Sequence, residues 1–107
     1  MSEATERVLR DIAREREAQD ALFGQQDLPN GTGPEFSPGA VAYANAYRAA
    51  CDAAFLTGHG TYRHVFLEEV FEALAEADPA KLRAELVQAV AVGVKWIEAI
   101  DRRTRSD

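Results

Sequence analysis

The segment Glu68-Glu69-Val70-Phe71-Glu72, followed at a distance by Glu85-Leu86-Val87-Gln88, decides the fold expected for this chain. Both segments lie in stretches whose apolar residues recur at helical spacing. Glu69 and Glu72 are then one helical turn apart on the same face, and the second segment repeats that offset on the next helix. Oxygen-bearing side chains from two helices are therefore expected to meet in a shared space.

A solvated helix face is the ordinary place for glutamates, and the second of these helices argues against it here. Residues 82–100 are apolar on nearly every side. One face contains Leu82, Leu86, Ala89, Val90, Gly93, Ile97 and Ile100, and a nearly opposite face contains Ala84, Val87, Ala91 and Val94. Glu85 and Gln88 fall between these faces, where a carboxylate is costly unless it is paired, hydrogen-bonded or bound to a metal.

The first of the two helices crowds its acidic side chains. Glu68, Glu69, Glu72 and Glu76 occupy about a third of its circumference, opposite its apolar face. Such crowding destabilises a helix and raises carboxylate pKa values. A divalent cation would relieve the repulsion, and ligands that are all oxygen suit Mg²⁺ or Mn²⁺ rather than zinc.

Asp78 followed by Pro79 predicts that one helix ends near Ala77 and that the next begins at once. A connection this short makes the two helices an antiparallel hairpin. The two acidic segments are placed at matched distances from the turn, 6 to 9 residues before Asp78 and 7 to 10 after it. Their side chains should therefore lie at one height along the hairpin.

These motifs resemble the MazG-like all-α nucleoside triphosphate pyrophosphohydrolases, in particular a phage and actinobacterial branch. In that family Glu-Glu-x-x-Glu on one helix is followed by Glu-x-x-Asp on the next. The resemblance extends over nearly the whole chain, through residues 14–20, 23–26, 66–73 and 82–88. Gln88 departs from the pattern, because its amide oxygen can coordinate a cation but carries no negative charge.

The resemblance implies an Mg²⁺-dependent enzyme that cleaves a nucleoside triphosphate to a monophosphate and pyrophosphate, with Mn²⁺ as an alternative metal. The implied metal ligands are Glu69, Glu72, Glu85 and Gln88. Glu69 is also an implied catalytic residue, together with Glu68, which would act as a base or as a hydrogen-bond acceptor behind the ligands.

Substrate contacts are expected from two sets of side chains. Gln19 and Phe23 share a face of the first helix and combine an amide with an aromatic ring, which suits a nucleobase. The resembling family also takes part of its base pocket from the first helix. Arg16, Arg63 and Lys95 are candidates for neutralising the triphosphate.

The composition fits one domain over residues 1–107, built as a four-helix bundle. Surplus apolar surface favours self-association, and the resemblance implies a homodimer or homotetramer that completes the core. The net charge of −6 argues against nucleic acid or an anionic membrane as a partner. With no signal-peptide pattern and no apolar run of membrane-spanning length, the chain is expected to be cytoplasmic.

The remaining boundaries follow from capping residues and turn formers. The first helix is expected over residues 3–23, and the second from Ser37-Pro38 to about Leu56. Residues 24–38 between them form a loop, which is either a lid over the substrate or a plain crossover connection. Thr61 should cap the third helix, His64 should have a structural role beside Glu68, and residues 102–107 should form a frayed tail. Cys51 is expected to be a core residue.

Two other interpretations remain open. The chain could be a non-catalytic helical module that senses a nucleotide or supports oligomeric interactions, which Gln88 favours. It could also be a purely structural helical oligomer in which arginines satisfy the glutamates without a metal.

Overall fold

The computed structural model describes residues 1–105, and its regular elements over that range are four helices with no strand. They are α1 (Glu3–Phe23), α2 (Ala40–Leu56), α3 (Tyr62–Leu74) and α4 (Pro79–Arg105). The predicted all-α class is therefore confirmed. None of the described helices combines the length and the apolar composition needed to cross a membrane.

The chain divides into two compact units, each described by itself. The first unit contains residues 1–29 and the end of α4 from Val94 onward. Its core is small, with Val8 of α1 only 1% exposed and with Val94 and Ala99 of α4 buried. Thr5 Oγ1 donates a hydrogen bond to Glu98 Oε2 at 3.1 Å, which ties α1 to α4 within this unit.

The second unit, residues 30–93, contains α2, α3 and the first half of α4. Its buried hydrophobic residues are mostly small: Ala40, Ala44, Cys51, Ala73, Leu82 and Ala89. Small side chains allow helices to approach closely, so the alanine-rich sequence of α2 suits a tightly packed position. This unit carries the acidic segments.

The start of α3 follows the sequence closely. Thr61 is its N-cap, and the Thr61 hydroxyl accepts a hydrogen bond from the backbone N–H of His64. His64 Nδ1 completes a capping box, because it lies 3.2 Å from the backbone nitrogen of Thr61 and 2.6 Å from its hydroxyl. His64 thus has a structural role, with Thr61 rather than Glu68 as its partner.

The end of α3 comes three residues earlier than predicted, at Leu74 instead of near Ala77. The cause is a pair of hydrogen bonds from residues that are distant in the sequence. Gly33 donates its backbone N–H to the carbonyl of Leu74 at 2.9 Å, and the Thr32 hydroxyl donates to the carbonyl of Glu76 at 2.6 Å. The segment before α2 therefore satisfies carbonyls that the end of a helix leaves without partners.

The start of α2 also differs from the prediction. The helix begins at Ala40 with Gly39 as its N-cap, and Ser37 does not cap it. The Ser37 hydroxyl instead donates to the carbonyl of Gly31 at 2.7 Å, which closes a turn in the preceding segment. The Ser37 hydroxyl is therefore engaged in this turn and does not accept a hydrogen bond from the first turn of α2.

The end of α4 reaches Arg105, so residues 102–105, which were expected to fray, are helical. Three arginines lie in the last turn, where cations interact favourably with the helix dipole. The remaining two residues of the expected tail, 106–107, lie outside the described range. Asp78 caps the other end of α4 as predicted, since its carboxylate accepts the backbone N–H of Lys81 at 3.0 Å.

Replacing Gly33 tests the contact between the loop and α3. Gly33 has a positive φ of 89°, and a Cβ added there would lie 2.7 Å from the Cβ of Ala77. Gly31 has a similar φ of 68° but open space around it. We expect Gly33→Ala to lower the free energy of unfolding by about 2–3 kcal/mol and Gly31→Ala by about 1 kcal/mol, measured by urea denaturation. Equal losses in the two variants would contradict the close contact.

Candidate metal centre

Three glutamates converge where α3 and α4 form a hairpin. Glu69 and Glu72 come from α3 and Glu85 comes from α4, and each offers a carboxylate oxygen within 4.8 Å of the other two. The hairpin produces this convergence because the three residues lie at similar distances from the short turn at residues 75–78. The expected meeting of acidic side chains from two helices is therefore present for these three residues.

Two of the carboxylate oxygens are buried without a partner. Glu69 Oε2 and Glu85 Oε2 are inaccessible to solvent and make no hydrogen bond within the described residues. A buried polar atom without a partner costs about 1–3 kcal/mol, and more when it is charged. The two oxygens belong to opposite sides of the hairpin, so one positively charged ligand could satisfy both.

The environment of Glu69 disfavours its charged form. Burial raises the pKa of the Glu69 carboxyl above its ordinary value of 4.5, and the nearby carboxylates of Glu72, Glu68 and Glu85 raise it further. In both cases the cause is negative charge placed where it is poorly solvated or repelled. A cation bound to the cluster would reverse both effects.

Arg48 of α2 provides the only positive charge that the described residues pair with this acidic group. Its Nη2 donates to Glu72 Oε1 at 2.8 Å, and its Nε lies 3.7 Å from Glu68 Oε1. The hydrogen bond and the charge of Glu72 raise the pKa of Arg48. Arg48 therefore compensates the charges of Glu72 and Glu68 and leaves the buried oxygens of Glu69 and Glu85 unsatisfied.

The donor set fits a hard divalent cation. Carboxylate oxygens are the ligands that Mg²⁺ and Mn²⁺ prefer. Around an octahedral Mg²⁺ with bonds of about 2.1 Å, adjacent oxygens are about 3.0 Å apart and opposite oxygens about 4.2 Å apart. The glutamate oxygens lie within 4.8 Å of one another, so the side chains would have to rotate inward for all three to bind one ion. Three protein ligands leave coordination positions for water or for a phosphate oxygen.

Of the other predicted residues, Gln88, Glu68 and Arg63 belong to the second unit and Lys95 belongs to the first. Gln88 is exposed on α4, one turn after Glu85. Glu68 is largely shielded, with 18% of its side chain exposed, and faces Arg48. Arg63 and Lys95 are exposed and make no ion pair with any described residue. Their predicted roles stay predictions.

The predicted substrate contacts on α1 form a separate, exposed group in the first unit. Arg16 donates to Gln19 Oε1 and to Asp20 Oδ1, both at 2.9 Å. Phe23, at the end of the helix, is 62% exposed. Arg16 and Gln19 are thus partners of each other, and the phenyl ring of Phe23 is available for contact.

Sequence reasoning missed an aromatic cluster next to the acidic group. Tyr47 of α2 and Phe71 of α3 stack with ring centroids 5.0 Å apart and an interplanar angle of 8°. Tyr43 lies against Phe71 at 5.2 Å and is 56% exposed. Tyr47 precedes Arg48 and Phe71 precedes Glu72 in the sequence, so the stacked rings and the ion pair join α2 and α3 at the same level. The helical spacing of Tyr43 and Tyr47 was visible in the sequence, but their partner on α3 was not.

Cys51 is a buried core residue of α2, as expected. Burial raises the pKa of the Cys51 thiol to about 11, with a further contribution from a hydrogen bond to Glu68. The thiol is therefore protonated at neutral pH and unsuited to act as a nucleophile.

Comparisons of the chain with models of protein families, with curated proteins and with solved structures find no match.

The unfavourable environment of the Glu69 carboxylate predicts how stability depends on pH. Because folding raises its pKa, the native chain holds the Glu69 proton more tightly than the unfolded chain does. Its contribution to stability is therefore greatest below the unfolded pKa and falls as the pH rises through the folded value. Glu69→Gln, whose amide can donate to a neighbouring carboxylate, should remove this loss and raise the metal-free Tm at pH 7 by about 4 °C, which corresponds to about 1 kcal/mol.

Thermal unfolding followed by circular dichroism between pH 4 and pH 8 measures this effect. The control is Glu35→Gln, which changes an exposed glutamate in the loop. A Glu69→Gln variant that is less stable than the wild type at pH 7 without metal would show that the carboxylate is not strained.

Proposed function

We propose that this chain is an Mg²⁺-dependent nucleotide pyrophosphohydrolase of the MazG-like type, with its metal centre at Glu69, Glu72 and Glu85. The observation that carries the proposal is the convergence of three carboxylates in which two buried oxygens lack partners. The order and spacing of the acidic motifs along the chain support the same function. The reaction would add water to a nucleoside triphosphate and release a monophosphate and pyrophosphate.

The residues divide the chemistry between them. Glu69, Glu72 and Glu85 would hold the cation, with Gln88 as a neutral ligand that side-chain rotation can add. Bound Mg²⁺ would supply positive charge to the phosphate oxygens and lower the pKa of a coordinated water. Glu68, whose Oε1 lies 3.7 Å from Arg48 Nε, would accept a proton from the attacking water or a hydrogen bond from a ligand of the cation. Arg48 would release Glu72 to the cation and turn its guanidinium toward phosphate.

The aromatic cluster supports a nucleotide as the substrate. Tyr43 presents a largely exposed ring whose position is fixed by Tyr47 and Phe71. A nucleobase can stack on such a ring, which contributes about 1–3 kcal/mol per base in single-stranded nucleic-acid complexes. Phosphates at the glutamates and a base at Tyr43 would place one nucleotide along α2 and α3.

A second candidate is a non-catalytic module of the same fold that senses a nucleotide. Two observations favour it. Gln88 reduces the negative charge expected of a catalytic metal site, and Arg48 already occupies Glu72. Such a protein would bind nucleotide and cation without releasing pyrophosphate.

Self-association is part of the proposal because the described chain leaves large apolar side chains uncovered. Leu86, Val87 and Val90 on α4 are each about half exposed, at 47%, 55% and 55%. On α1, Leu22 and Phe23 are exposed still more, at 75% and 62%. A homodimer or homotetramer would cover these surfaces and complete the four-helix core that the resemblance implies.

An assay of pyrophosphate release tests the enzyme directly. Canonical and modified deoxynucleoside triphosphates are incubated with the protein and Mg²⁺. We expect pyrophosphate release with at least one of them, a rate of release that is lower by about a hundredfold or more in Glu69→Ala, and an unchanged rate in Glu35→Ala.

We expect Gln88→Asp to tighten Mg²⁺ binding, because it restores a charged ligand. We expect Tyr43→Ala to weaken nucleotide binding by about tenfold.

The outcomes separate the two candidates. Nucleotide-dependent thermal stabilisation without pyrophosphate release would favour the sensing module. The absence of both responses, with Mg²⁺ binding also absent, would leave a structural oligomer in which arginines satisfy the glutamates.

A further inference from the structure

The first unit contains a cleft lined mainly by arginines. It has a volume of about 480 Å³ and lies between α1 and the last turns of α4. Four arginines and two aspartates line it: Arg7, Arg10, Arg14 and Arg105, with Asp11 and Asp101. Its formal charge is therefore +2, in a chain whose net charge is −6.

Three of the arginines share one face of α1. Arg10 and Arg14 follow Arg7 by three and seven residues, which at about 100° per residue places all three within about 60° of one another. Like charges at this spacing repel each other and destabilise a helix. The arrangement thus has an energetic cost in the absence of an anion.

The cleft leaves most of this positive charge without a counterion. Within residues 1–105, Arg7 and Arg10 make no ion pair. Arg14 pairs with Asp11 at 3.5 Å, but both side chains are more than 70% exposed, and such surface pairs contribute little. Arg105 donates its Nε to the carbonyl of Asp101 at 3.4 Å, and among residues 1–105 its two terminal nitrogens have no acceptor.

We propose that this cleft binds a compact polyphosphate anion, such as a free triphosphate or the phosphate chain of a small metabolite, without a metal ion. Guanidinium groups offer paired N–H donors that match phosphate oxygens. The volume lies within the range of small-molecule sites, whereas an extended macromolecule would need a longer basic surface. All the lining residues belong to the first unit, and the glutamates of the metal centre belong to the second.

A helix-dipole role explains only part of the cluster. Arg105 lies in the last turn of α4, where a cation is favourable in any case. That explanation does not apply to Arg7, Arg10 and Arg14, which all lie before the last turn of α1. An acidic peptide is the alternative ligand for such a cleft, and its affinity is compared with that of tripolyphosphate below.

Isothermal titration calorimetry with inorganic tripolyphosphate tests the proposal on the full chain. EDTA is present throughout, so the result does not depend on cation binding at the glutamates or on catalysis. We expect saturable binding that weakens by about tenfold in Arg10→Gln and by more in the double variant Arg7→Gln/Arg10→Gln, since each substitution removes a charged hydrogen-bond donor. The matched control, Lys81→Gln/Arg83→Gln, removes two exposed cations of the second unit and should bind as the wild type does.

Three results would overturn the proposal. They are the absence of tripolyphosphate binding to the wild type, equal affinity in the wild type and Arg10→Gln, and a hexaglutamate peptide that binds as tightly as tripolyphosphate. Arg10 is exposed, so its single variant should keep the wild-type circular dichroism spectrum and Tm even if the double variant is less stable. Failure to detect the proposed nucleotide pyrophosphohydrolase activity would leave this outcome unaffected.

Discussion

The burial of carboxylate oxygens at the α3–α4 hairpin is the constraint on which the interpretation of this protein depends. Glu69 Oε2 and Glu85 Oε2 are shielded from water, and no donor within the described residues reaches them. Ionised carboxylates in that position are unfavourable unless another group compensates them. The chain therefore maintains a local cost that a bound cation would convert into a favourable interaction.

Arg48 shows how far the protein compensates this charge by itself. Its guanidinium reaches Glu72 and Glu68 from α2, and it links that helix to α3. Arg48 leaves the buried oxygens of Glu69 and Glu85 uncompensated. The arrangement therefore differs from a structural network in which every glutamate pairs with an arginine. A cation that coordinates Glu72 Oε1 would have to displace the guanidinium of Arg48 from that oxygen.

The sequence predicted the helices and the acidic cluster because both depend on local spacing. Apolar periodicity and the caps at Thr61 and Asp78 defined the hairpin, and the distances from its turn brought Glu69, Glu72 and Glu85 together. Features set by distant contacts were missed. The end of α3 depends on Thr32 and Gly33, and the pairing of Arg48 and the stacking of Tyr47 depend on how α2 lies against α3. No periodicity within one helix contains that information.

The most direct measurement is a crystal structure of the protein grown with Mn²⁺, using anomalous scattering to locate the metal. The account predicts an anomalous peak bonded at about 2.1–2.2 Å to oxygens of Glu69, Glu72 and Glu85, with Arg48 turned away from Glu72. A structure in saturating Mn²⁺ that shows no peak at these glutamates, with Glu72 still bound to Arg48, would contradict it.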